Sequence, residues 1–390
     1  MSPDARGHNL QLYRTGNMLT SPNILTIDLQ ALAFNLAQIK RHVGRGVKIM
    51  GIVKSDAYGH GLVKVSKTLE KEGISCLGVS FISEALLLRK EGIKIPVVVL
   101  CGVEKPDDAQ SVIEKDLTPV VFDIESAVML DRAADISGKK INIHIKVDTG
   151  MGRLGADYDK IAWFLCEIKK LRALNVEGLL SHFSSADEDD RTFTDKQTER
   201  FKNVISEAKT LGIEPELNHL ANSAGIMSHN NSYFNMVRPG IILYGGLPFP
   251  GYEPPFELRP VMGLKGKILQ IRDFDDNTPV SYGRTYHTKG RKSIAVISAG
   301  YADGLPRSLS NRGRVLAGGK RADITGTVCM NMLACDITEN RDLKPGDECV
   351  LLGSQGKETI NVDDIAGWCN TISYEILLSL GRASEKIYIS

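Results

Sequence analysis

Apolar positions between residues 47 and 243 fall in short β-branched runs separated by longer stretches with helical spacing. The runs 47–53, 76–80, 95–100, 118–122, 141–147, 176–181, 216–220 and 236–243 predict eight strands. Between them, segments such as 157–173 repeat Ile161, Phe164, Leu165, Ile168 and Leu171 on one helical face. Continuous apolar runs, rather than alternating ones, are what strands buried on both faces require, and that favours a parallel sheet. Eight strand-plus-helix units in about 200 residues are what a (β/α)8 TIM-type barrel needs, with a doubly wound open sheet as the alternative from pattern alone.

After residue 255 the pattern changes. The runs 264–272, 293–299, 322–328 and 348–353 lie close together, broken by Gly, Asn and Asp, and predict a mainly β domain with a helical insertion near 362–380. The segment 250–260 contains four prolines and reads as a linker. The expected division is an N-terminal extension over 1–20, a barrel over 21–255 and a β domain over 256–390.

Charge narrows the function classes. Lys and Arg number 48 against 47 for Asp and Glu, a formal +1, so the whole molecule has no electrostatic attraction for nucleic acid or an anionic membrane. The N-terminal stretch lacks the apolar core of a signal peptide, and the apolar run 95–100 is too short to cross a bilayer. Seven scattered cysteines, without CxxC pairs or zinc-like Cys/His spacing, fit free thiols in a reducing compartment; the expected location is cytoplasmic, with no metal.

In a barrel enzyme the reactive groups sit at the C-terminal ends of the strands. Those ends carry Lys54 after strand one, Lys146, Asp148 and Arg153 around strand five, and His182 after strand six. Asn222 and Ser223 follow strand seven, and Arg238, Gly240 and Ile241 belong to strand eight. The loops after strands seven and eight are the usual phosphate site of this fold, which makes Ser223 and the amides near Gly240 and Ile241 candidate phosphate donors. Taken singly, each residue also has a structural reading. Lys54 can be a solvated strand-end lysine, Tyr58 a half-buried core aromatic, His182 a satisfied structural histidine and Tyr282 a turn aromatic.

The string VKSDAYGHG around Lys54 closely resembles the pyridoxal 5'-phosphate (PLP) lysine motif of alanine racemases. DTGMGRLG, SHF, ANSAG, VRPGIILYG, VSYG, GYADGLPR, GTVCMNM and TISYE follow in that family's order, from about residue 22 to about residue 380. The resemblance implies a PLP-dependent isomerase that interconverts L- and D-alanine and supplies D-alanine to peptidoglycan. It also implies an active head-to-tail homodimer. By the same resemblance, Lys54 binds PLP and is one catalytic base, while Tyr282 is the second. Tyr58 and Tyr374 bind the phosphate, and Arg238 faces the pyridine nitrogen, with His182 linking it to the tyrosine. Arg153 and the Met330 amide hold substrate, and Tyr301 stands at the entrance. Lys146 matches a lysine often carbamylated in the family, with an unmodified lysine beside chloride or water as the alternative.

Two bases fit racemisation, which needs proton transfer on both faces of one carbon. Tyrosine has a reference pKa of ~10, so it needs neighbours that stabilise its phenolate to act as a base. Rival readings are a racemase of serine or other amino acids, a PLP decarboxylase of the same architecture, and a non-catalytic PLP-binding barrel. The chain departs from the family at Asn331, where an aspartate is usual, and at Arg382-Ala383-Ser384-Glu385, where Arg-Val-Pro-Arg is usual.

Overall fold

The computed structural model describes residues 22–249 and 251–390. The extension expected over residues 1–20 lies outside the described residues. The strands Lys48–Ile52, Cys76–Val79, Val97–Val99, Thr118–Val121, Ile141–Asp148, Leu174–Leu180, Leu217–His219 and Met236–Val237 pair in parallel around a closed ring. The last of them returns to the first through Met236↔Lys48 and Val237↔Ile49. This is the expected (β/α)8 barrel, and every apolar run contributed a strand.

The eighth strand corrects the sequence reading of 236–243. Only Met236–Val237 is strand, and Ile241–Tyr244 is a 3-10 turn buried in the core. Pro239 has no N–H to give to a ladder, so the apolar run continues as a buried turn instead. The helix expected over 157–173 is shorter, Ile161–Lys169.

Residues 262–274 form the spine of the second unit. The strand Met262–Phe274 pairs with Glu348–Gln355 in its first half and with Lys292–Ile297 in its second, separated by a register shift near Leu269. Leu333–Asp336, Arg314–Ala317 and Lys320–Asp323 extend the sheet. The helical insertion is two helices, Val362–Cys369 and Ser373–Ala383, broken at Asn370, whose φ is 55°. One strand crosses the expected division of the chain. Ile24–Asp28 lies in sequence with the barrel, yet it pairs antiparallel with Met262–Phe274 and parallel with Lys386–Ile389.

The helix Ser373–Ala383 carries Tyr374 and lies against the turn that follows Lys54. A Cβ at Gly381 would sit 2.0 Å from the Gly59 carbonyl oxygen, so the two backbones touch. Gly381→Ala is therefore expected to destabilise by about 1–3 kcal/mol, because backbone on both sides must move. Gly367→Ala, whose Cβ meets nothing within 4 Å, is expected to be stabilising by up to ~1 kcal/mol. Urea denaturation of the two variants checks the contrast. Equal midpoints would mean that the contact is slack.

All seven cysteines are free thiols. Among the described residues, no helix is long and apolar enough to cross a membrane, and no cluster of His, Cys, Asp or Glu could hold a metal ion.

Candidate active site

At the C-terminal end of the barrel strands lies a cavity of about 540 Å³. Ten of the residues singled out in the sequence line it: Lys54, Tyr58, Lys146, Arg153, His182, Asn222, Ser223, Arg238, Gly240 and Tyr374. Ile241 is buried next to Gly240 but does not line the cavity. Four cationic side chains line the space and no carboxylate does, so its field favours a ligand with several negative groups.

Lys54 enters the cavity from an unusual piece of backbone. Ser55, Asp56, Ala57 and Tyr58 all have φ between 53° and 55°, one complete left-handed turn. That conformation costs an L-residue roughly 1–2 kcal/mol, so four in succession need support. Glu84 accepts from the Ser55 amide at 2.6 Å, and Asp56 accepts from the Leu62 amide at 2.7 Å and pairs with Lys386 at 3.0 Å. Inside the turn, the His60 ring bonds the Ala57 and Tyr58 carbonyls at 3.0 Å each. Tyr244 stacks on both Tyr58 and His60 and donates to the Ile52 carbonyl. The handedness aims Lys54 and Tyr58 into one cavity from neighbouring positions.

Burial, and then the Arg153 cation, lower the pKa of Lys54. Lys146 is pulled down to about 8 by burial and then by Arg238 and Arg153. Both amines thus move towards the neutral, nucleophilic form. The Tyr58 and Tyr374 phenols are pushed up, chiefly by burial, which keeps them as neutral hydrogen-bond donors. Asp148, which stands at a strand end among the candidates, caps its own loop instead. Its carboxylate accepts from the Gly150, Met151 and Gly152 amides at 2.7–2.8 Å and shapes the turn that presents Arg153.

Arg238 is 4% exposed and has no carboxylate among its hydrogen-bond partners. Its guanidinium donates to the carbonyls of Ser181, His219 and Leu220 and to the Nδ1 atoms of His182 and His219, the last two at 3.1 Å. Burial lowers its pKa to about 9, still cationic at neutral pH. His182 and His219 are held well below the usual histidine range by burial and by Arg238, and burial lowers His60 to about 4. An unfolded chain takes up these protons near pH 6.5, whereas the folded chain does so only at lower pH. Below pH 6.5 the unfolded state therefore binds more protons, and each ring costs up to about 1.4 kcal/mol of stability per pH unit as pH falls. Urea unfolding at pH 7.5 and 5.5 should show the loss. Equal stability at the two values would contradict burial of the rings as neutral species.

Three predicted site residues lie elsewhere. Tyr282 is 71% exposed and Met330 56% exposed, and with Tyr301 they stand on one face of the second unit rather than at the cavity. They are neighbours there: Thr327 Oγ1 donates to the Tyr282 carbonyl, and the amides of Tyr301 and Ala302 donate to the Cys329 and Met330 carbonyls. Asn331 is exposed beside Met330, and nothing in the structure explains its replacement of the family's aspartate, nor the change at 382–385. Sequence reasoning missed Glu84, Tyr244 and Cys101. Cys101, just past the strand run 95–100, and Tyr244, within VRPGIILYG, carried a signal, and Glu84 carried none.

Known proteins share this arrangement of a barrel-top cavity and a β unit. Residues 27–248 match the family model for the alanine racemase N-terminal domain, and residues 261–388 match that for the alanine racemase C-terminal domain. The chain belongs to the alanine racemase family. It is 44% identical over 362 residues to the alanine racemase of Syntrophobacter fumaroxidans, a match that covers 93% of this chain and 96% of the relative. Among solved structures, the Streptomyces lavendulae alanine racemase superposes with a TM-score of 0.89 at 30% identity, over 95% and 98% of the two chains. The Bartonella henselae alanine racemase, with covalently bound pyridoxal phosphate, gives 0.83 at 30% identity over 94% and 99%. The family is PLP-dependent, and the cavity fits that cofactor. The Tyr58, Ser223 and Tyr374 hydroxyls gather at one end, where a Cβ at Gly240 would sit 2.5 Å from the Tyr58 oxygen, and Lys54 and Arg238 also line the space.

Proposed function

We propose that the chain interconverts L- and D-alanine with PLP by a two-base mechanism, as a cytoplasmic homodimer that supplies D-alanine for cell-wall synthesis. The observation that carries this reading is the cavity lined by four cations and no carboxylate, with a lysine whose pKa is lowered. PLP supplies the electron sink that makes the substrate's α-proton removable. Lys54 holds the cofactor and exchanges the α-proton on one face. Tyr58, Ser223, Tyr374 and the amides at Gly240 and Ile241 bind the phosphate, while Arg153 takes the substrate carboxylate. Arg238 keeps its proton and would donate to the cofactor's ring nitrogen, leaving that nitrogen unprotonated and so a weaker electron sink, which would favour returning the proton to carbon.

The second face needs a base opposite Lys54, and Tyr282 does not line the cavity of its own chain. In a head-to-tail dimer, Tyr282 of the partner subunit supplies it, with the Met330 amide and Tyr301 beside it. His182 accepts from Arg238 at Nδ1, so its Nε2–H points onward and is free to hold the incoming tyrosine. Lys146 is close to half neutral near pH 8, and a neutral amine is the form that takes up carbon dioxide as a carbamate to steady Arg153.

The test is a chiral assay of purified protein with PLP and L-alanine. D-alanine should accumulate until the two enantiomers are equal. Protein with a visible cofactor absorbance that disappears in Lys54→Ala, yet with no D-alanine formed, would rule alanine out.

A further inference from the structure

The interior of such a barrel is normally filled by bulky aliphatic side chains. Here, four polar side chains run through it in a line. Arg238 Nη1 lies 3.1 Å from His219 Nδ1, His219 Nε2 lies 2.9 Å from His144 Nδ1, and His144 Nε2 lies 3.3 Å from a Glu177 carboxylate oxygen. Both histidine residues are completely buried, while the Glu177 side chain is 24% exposed. The second Glu177 oxygen accepts from Asn142 Nδ2 at 3.0 Å. Lys48, in the first barrel strand, and Cys76 also face this carboxylate. The line thus begins at the cavity and ends at the opposite, N-terminal mouth of the barrel.

The backbone is shaped around these rings. A Cβ at Gly178 would lie 2.8 Å from three atoms of the His144 imidazole, so only glycine leaves room for it. The ladder between Ile141–Asp148 and Leu174–Leu180 shifts register between Ile143 and His144. Burying two imidazoles and a guanidinium is costly unless every donor meets an acceptor, and here they do so in only one direction.

That direction follows from chemistry. A guanidinium only donates, so His219 Nδ1 must accept and its proton must sit on Nε2. His219 then donates to His144 Nδ1, which leaves the His144 proton on Nε2, pointing at the carboxylate. We propose that Glu177, His144 and His219 form a positioning relay. It fixes both ring tautomers and serves Arg238 as a counter-ion placed at the far mouth of the barrel. A carboxylate bonded directly to Arg238 would cancel its field at the cavity. Two neutral rings in between keep the guanidinium held and its charge directed at the ligand. The hydrogen bond from His144 keeps the Glu177 carboxyl low and ionised, which anchors the far end.

The role of Arg238 towards the cofactor rests on the proposed racemase reading, but the tautomers do not. Full-length protein labelled with 15N-histidine reports ring protonation directly, with His144→Gln and His219→Gln used to assign signals. Without cofactor, both rings should be neutral and protonated at Nε2. Glu177→Gln should broaden or split the His144 and His219 signals. In the PLP-loaded enzyme it should also shift the visible absorbance of the cofactor and lower kcat/KM about ten-fold, as loss of a carboxylate that orients a histidine does at metal sites. Gly178→Ala, which crowds the His144 ring and keeps the carboxylate, should reproduce the spectral change. A proton on Nδ1 of either ring, or unchanged ring spectra in Glu177→Gln, would overturn the relay. The expected tautomers in a protein without racemase activity would leave the relay standing and remove the catalytic reading instead.

Discussion

Mixing Lys54→Ala protein with Tyr282→Phe protein is expected to restore racemase activity that neither preparation has alone. Lys54 lies in the barrel cavity, whereas Tyr282 is 71% exposed on the second unit and does not line that cavity. A two-base mechanism then needs the tyrosine from another copy. In a two-fold symmetric dimer, each site would combine one chain's lysine with its partner's tyrosine. Either substitution alone disables both sites, and removal of one positioned base costs ~10²–10⁴-fold. A mixed dimer concentrates both defects in one site and leaves the other intact, so random re-association should recover about a quarter of wild-type activity. No recovery after dissociation and remixing would contradict the shared site. Full activity of Tyr282→Phe alone would contradict the second base. Because Tyr282 is so exposed, its substitution should leave the chain's stability unchanged, which separates a catalytic loss from a folding defect.

Arg238→Leu should be the most destabilising single change at the site, by about 3–5 kcal/mol, because it strips partners from groups that cannot reach water. The carbonyls of Ser181, His219 and Leu220 and the Nδ1 atoms of His182 and His219 would all lose a donor. Leucine also removes the charge that helps to keep both rings neutral, so their protonation should move back towards the ordinary range. Arg238→Lys retains the charge but cannot reach the two histidines at once, and it should fall between leucine and wild type. Urea midpoints for the three proteins give the order. A leucine variant as stable as wild type would mean that the carbonyls and rings find other partners.

The barrel was legible because a parallel strand covered on both faces has to be an apolar run, and each of the eight runs contributed a strand. What local pattern could not show was partnership. Nothing in ILTID says that Ile24–Asp28 will leave its sequence neighbours and pair with residues 262–265 and 386–389. The run 236–243 misled for a related reason, since burial alone makes a sequence apolar whether it is a strand or a 3-10 turn. At the site, the residues that touch the cavity stood at strand ends and in the resemblance motifs. Some that support them, Asp56, His60, Asp148 and Tyr244, lay in those motifs too, but others did not. Glu84 acts by bonding the backbone of a left-handed turn, and His144 and His219 by bonding each other across strands. Nothing in its own segment marks any of them, and the purpose of each is visible only when distant parts of the chain meet.

The strand Ile24–Asp28 also sets a schedule for synthesis. It leaves the ribosome long before one of its two ladder partners, Lys386–Ile389. At about 5–20 residues per second, roughly 20–70 s separate their emergence. Through that interval the nascent chain carries an apolar strand with an open edge, while the barrel segments between can already close. A ribosome that stalls before residue 386 would release a chain whose first strand still has an unpaired edge, a natural template for pairing with another chain and an early target for quality control.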